Sequence, residues 1–177
     1  MRLPGILGLA AGLALALVLQ AVLLAVAHTP LAAPDLILVL TAALGFAHGP
    51  RTGMVCGFLG GLAADLIPPA THAVGREAFV LCLVGFVAGH AAESVKDTVL
   101  RPVVLVAVLA AVAPFGYWAL GTVVGDGEPR PVALLSAAFG SALYAALMAP
   151  FVLFAVHALA GRGQTRDIVS VAGRKGL

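Results

Sequence analysis

Apolar residues in this chain fall into long, nearly unbroken blocks separated by short polar breaks, with no regular alternation between the two. A helix that is apolar on every side has no stripe for water, so such blocks mark buried helices or membrane spans. Residues 3–27 form the first block, 25 residues without a charge. That is enough for one helical crossing of a hydrocarbon core about 30 Å thick. Pro4 suits its first turn. The stretch also has features of a cleaved signal peptide, with Arg2 as a basic start and Ala25-Val26-Ala27 as a small-residue end. A signal core runs to only about 7–15 apolar residues, however, which favours a retained span.

The next connection ends at Pro34-Asp35, where Asp35 is placed to cap a helix. Leu36–Ala47, the turn His48-Gly-Pro-Arg51 and Thr52–Ile67 then predict two short helices. At 1.5 Å per residue they reach only about 18 and 24 Å, short enough to be re-entrant. Either way the chain returns to the side it left. Pro68–Glu77 reads as a loop, Ala78–Ala92 as a third short apolar run, and residues 93–101 as a polar break. Val103–Val124 is a full span with a kink expected at Pro114. After a turn over 125–131, Val132–Ala160 is the longest span, interrupted at Pro150. The expected fold is an all-α polytopic membrane domain over residues 1–161, with six spans, three of them short. Residues 162–177 form a basic tail expected to stay disordered.

Composition agrees with this division. Hydrophobic residues make up 62% of the 177 and charged ones 10%, with mean hydropathy +1.10. A soluble domain carries about 25% charged residues. The net charge of +2 matters less than its placement. Six alternating spans put Arg2, Arg51, Lys96, Arg101, Arg162, Arg166, Arg174 and Lys175 on one side, eight of the ten basic residues. Only Arg76 and Arg130 fall on the other. The positive-inside rule assigns the eight to the cytoplasm, with both termini.

One stretch stands out within the blocks. Gly53, Gly57, Gly61 and Asp65 recur at four-residue spacing and share one stripe of a helix. Bare glycines let another backbone approach closely, and this is how helices associate in lipid without a hydrophobic driving force. The stripe ends in an acid and then Pro68-Pro69, which stops the helix. An acid this close to an interface either serves function or caps the following loop.

Catalytic and ligand chemistry has little to work with. Cys56 and Cys82 lie in apolar runs and match no zinc or redox spacing. His28, His48, His72 and His90 divide between the two sides, so no shared metal site is expected, and His157 stands apart from them. No nucleophile is paired with a base, no glycine loop leads to a phosphate-binding lysine, and the scattered basic residues give no nucleic-acid surface. The expectation is a non-enzymatic protein without cofactor or metal. The spans also lack the facing ionisable groups that a proton or ion pump needs.

The order of features over roughly residues 1–160 resembles MreD, the small membrane component of the bacterial rod-shape machinery. The resemblance rests on a long first span, Pro34-Asp35-Leu36 opening a short apolar run, and Gly57-Phe-Leu-Gly-Gly61-Leu-Ala-Ala-Asp65-Leu. Pro68-Pro69 and Gly75 ahead of the next run complete it. The segment 57–65 is its most specific part; the later spans match in length and hydropathy alone. The resemblance implies a scaffold in the inner membrane that supports lateral peptidoglycan synthesis. Its implied partners are an MreC-like protein, a RodA-like polymerase, a class B penicillin-binding transpeptidase and MreB. It also implies a fold similar to the vitamin-binding S component of energy-coupling-factor transporters, and a small-solute carrier is therefore the rival reading. Ala10 and Ala14 echo the alanine face such carriers use for docking, but alanine is too frequent here for the match to weigh much. By carry-over, Pro34, Asp35, Gly57, Gly61, Asp65 and Pro68, joined by Gly53 from the glycine stripe, are the expected partner-binding or helix-packing positions. The two acids are expected to cap helix ends and fix a groove for a partner helix, and the basic tail to meet anionic lipid headgroups.

Overall fold

The structure, a computed structural model, describes residues 35–66, 74–94, 100–125 and 131–174, with side chains as far as Val156. Five helices make up this part: α1 (Leu36–His48), α2 (Pro50–Asp65), α3 (Arg76–Ala91), α4 (Leu100–Val124) and α5 (Pro131–Arg174). No strand occurs among the described residues. The block at 3–27, with Pro34 and Pro68, lies outside them.

Local sequence explains the boundaries. The Asp35 side chain accepts the Leu38 N–H at 2.9 Å and so caps α1. Gly49 ends it at φ 88°, a left-handed backbone that glycine adopts without strain. Pro50 then occupies the first position of α2, where a missing N–H costs nothing. Gly75, at φ 103°, opens α3 in the same way. Pro114 and Pro150 sit inside helices that run on through them. The last helix also passes Ala160, where the sequence suggested a disordered tail, and continues to Arg174. No proline follows Pro150 to stop it.

α1 is the hub. Residues Leu36 to Val39 and Thr41 to Gly45 are buried, so the helix is enclosed on every side. It lies against α2, α3 and α5, while α4 packs on α5 and α3. Ala145, Ala149, Leu153 and Val156 of α5 join Ile37, Leu38, Leu81 and Val84 in a single core.

Between α2 and α3 the contact is of another kind, because backbone meets backbone. A methyl group at Gly53 would run into the Gly85 carbonyl, at Gly57 into the Leu81 carbonyl, and at Gly61 into the Ala78 backbone. Gly89 lies equally close to Pro50. Gly45 of α1 reaches the same place, its absent Cβ falling 2.7 Å from the Gly85 oxygen. The glycine stripe is therefore an internal packing face, filled by α3.

The expectation of six spans is met only in part. Two helices are long and apolar enough to cross a membrane, Leu100–Val124 and Pro131–Val156. Only 11% and 28% of their apolar windows are buried, unlike the core helix of a soluble protein. Val104, Val108 and Val112 on α4, and Phe139, Leu143, Leu147 and Phe151 on α5, point outward. By contrast α1, α2 and α3 have 13, 16 and 16 residues, or about 20–24 Å. Gly49, Asp65 and Gly75 set those limits.

The packing predicts a sharp contrast between two glycines. Gly57→Leu forces side-chain atoms into a carbonyl that cannot step aside, a loss beyond the about 1–3 kcal/mol of ordinary overpacking. Gly116→Ala on α4 meets nothing nearer than a Val80 methyl at 3.6 Å, and gains up to about 1 kcal/mol of helix propensity. Thermal melting in mild detergent should show the first variant strongly destabilised and the second equal to the parent or better.

Candidate functional site

The start of α1, the end of α2, the start of α3 and the last turns of α4 meet at one end of the bundle. Charged side chains gather there. Asp65 is the centre of this mouth and is 2% exposed. Its carboxylate accepts the Gly75 N–H at 2.7 Å and the Glu77 and Ala78 N–H groups at 3.4 Å each. These are the free donors of the first turn of α3, so an acid on one helix caps the next across a loop. Hydrogen bonds to a charged group contribute about 1.5–3 kcal/mol, and an anion at a helix N-terminus up to about 2 kcal/mol more. Together they offset the cost of burying the carboxylate.

Arg76 points the other way. Its guanidinium donates to the Tyr117 carbonyl at 2.9 Å and stacks 3.9 Å from the centroid of the Tyr117 ring. Gly121, one turn further along α4, makes the space, since a Cβ there would meet the guanidinium. Cation–π contact of a shielded arginine contributes about 0.5–2 kcal/mol. Arg76 thus pins α3 to α4.

Glu77 completes the group. It stands in the first turn of α3, ahead of the apolar stretch that begins at Ala78. The charges of Asp35, Asp65 and Arg76 all act on the Glu77 carboxyl. Three acids and one arginine from three helices therefore share the mouth, with Tyr117 of a fourth beside them.

Of the expected site residues, Asp35 and Asp65 lie together at this mouth and both cap helices. Gly53, Gly57 and Gly61 lead away from it along the α2–α3 contact. Pro34 and Pro68 fall outside the described residues. Arg76, Glu77, Tyr117 and Gly121 were missed. Their signal in the sequence was faint: two charges just ahead of an apolar run, and an aromatic four residues before a glycine. No group of metal-ligating side chains occurs among the described residues.

Replacing Asp65 tests the cap. Asp65→Asn keeps an acceptor but loses the charge and should cost about 1–2 kcal/mol, the range of weakened caps. Asp65→Leu leaves buried N–H groups unsatisfied and should cost about 3 kcal/mol or more. Melting of the two variants side by side should give that order, and equal melting would contradict the cap. No family model, no curated protein and no solved structure matches this chain.

Proposed function

We propose that this chain is a non-enzymatic membrane scaffold of the kind the MreD resemblance implies. It sits in a bacterial inner membrane with both termini in the cytoplasm and holds an MreC-like partner. Through that partner it meets a RodA-like polymerase, a class B penicillin-binding transpeptidase and MreB. In this reading residues 3–27 and the five helices make six passes, and the three short helices lie within the bilayer. Two features support the topology: eight of the ten basic residues fall on one side, and successive helix ends alternate between the charged mouth and the opposite end.

The observation that carries the scaffold reading is the outer face of α2. Met54, Val55, Phe58 and Leu59 are exposed opposite the glycine stripe. A helix of about 24 Å leaves a mismatch of about 6 Å with a hydrocarbon core of about 30 Å, and association with another helix relieves such a mismatch. Large apolar side chains on a helix too short for the lipid favour a protein neighbour, here the transmembrane helix of the MreC-like partner. The rival carrier reading needs a solute pocket, and between α2 and α3 the touching backbones leave no space for one.

Affinity purification from native membranes in mild detergent, followed by mass spectrometry, tests the reading. MreC and RodA homologues should be recovered. The double variant Phe58→Ala/Leu59→Ala should melt like the parent yet recover at least tenfold less partner, a loss of about 1.4 kcal/mol. Unchanged recovery would contradict the docking face, and a transport ATPase or bound vitamin in place of MreC would contradict the scaffold.

A further inference from the structure

α3 has an outer face of its own, separate from that of α2. Phe79, Leu83, Phe86 and Val87 share one stripe of the helix and are exposed. Between Glu77 and His90 the helix carries no charged side chain and no hydroxyl. The stripe adjoins the outer face of α4. The absent Cβ of Gly116 on α4 falls 3.6 Å from a Val80 methyl, and beyond that seam Val104, Val108, Val112 and Phe115 point outward. α4 is one of the two helices long and apolar enough to cross a membrane. The α3 stripe is thus continuous with a surface of membrane-spanning length.

The two helices are level at the Val80–Gly116 contact and differ on both sides of it. From there α4 continues for 8 residues to Val124 where α3 has 4 left to Arg76, and for 16 back to Leu100 where α3 has 11 left to Ala91. α4 therefore overhangs α3 by about 6 Å at the mouth and about 8 Å at the opposite end. α3 alone offers about 24 Å to a hydrocarbon core of about 30 Å. A helix that is too short is accommodated by thinning the bilayer, by snorkelling or by association. Snorkelling is closed to Arg76, whose guanidinium is engaged with the Tyr117 carbonyl and ring. Association is already assigned to α2 in the scaffold reading, and the face next to α4 stays with the lipid.

We propose that the outer face of α3 is a lipid-thinning surface. Acyl chains against it are compressed, or exchanged for shorter ones, in both leaflets, while chains against α4 keep their ordinary length. Beside α3, headgroups and water then lie closer to the bilayer midplane than anywhere along α4. This role of α3 rests on the membrane placement proposed above and needs no partner protein.

The full-length protein in phosphatidylcholine vesicles carries its own reporter, because its single tryptophan, Trp118, lies on the exposed side of α4. The double variant Phe86→Trp/Trp118→Phe moves the reporter to α3, exchanging one exposed aromatic ring for another at each site. Leu83→Trp in the same Trp118→Phe background is a second α3 reporter. Dioleoyl lipid brominated at mid-chain quenches a tryptophan that it touches, and unbrominated lipids with short myristoleoyl or long erucoyl chains compete for that contact. On α3 the short-chain lipid should compete about threefold better than the long-chain one. On α4 that preference should be absent or reversed. The same order of preference at both places, or an α3 reporter that favours the long chain, would overturn the thinning. Quenching of Trp118 without quenching of either α3 reporter would overturn it too, since protein, such as a second copy of the chain, would then cover α3. Quenching of none of the three would overturn the membrane placement itself, so the two failures are distinct.

Discussion

Direct contact between the backbones of α2 and α3 is the constraint on which the described fold depends. Gly53, Gly57 and Gly61 meet Gly85, Leu81 and Ala78 with no side chain between. With no side chains between the helices, such closeness is built from van der Waals contact along the whole stripe. Once α2 and α3 are joined, α1 completes a triangle, with Gly45 beside Gly85 and Thr41 beside Gly57. The two long helices then add to this triangle mainly through small side chains of α5 and through the Arg76 clamp.

The charged mouth follows from the same contact. Antiparallel helices at this distance bring the last residue of α2 beside the first turn of α3, and Asp65 converts that proximity into a cap. Burial of Asp65 would be costly without the N–H groups it receives, and the start of α3 would be unsatisfied without Asp65. Glu77 and Arg76 are then held by the turn that Asp65 fixes. One faces α1 and the other α4, so the mouth links α1, α2, α3 and α4.

Much of this was legible in the sequence, and the rest was hidden for physical reasons. Glycines four apart announce a contact face, and the stripe at 53, 57 and 61 was read as one; the matching pair Gly85 and Gly89 lies in the next apolar run. Asp35 as a cap follows from its place before a helix. Asp65 was harder to read, since its partners lie across a loop and any acid near an interface has several fates. The Arg76–Tyr117 contact joins residues 41 apart, and only tertiary packing reveals such a pair. Helix lengths were legible too: three short apolar runs were expected, and the first three described helices have 13, 16 and 16 residues. The run of α5 to Arg174 was missed because glycines and charges weaken a helix without breaking it.

The most direct test of the account is the distance between α2 and α3 in a lipid bilayer. Solid-state NMR on protein carrying a ¹³C label in the Gly53 Cα and another in the Gly85 carbonyl measures it. The account predicts a strong dipolar contact, corresponding to backbone atoms in van der Waals range at about 3–4 Å. No transfer between the labels, which would place the two glycines beyond about 7 Å, would mean that side chains or lipid separate the helices. That result would contradict the packing from which the mouth, and the functional reading, are built.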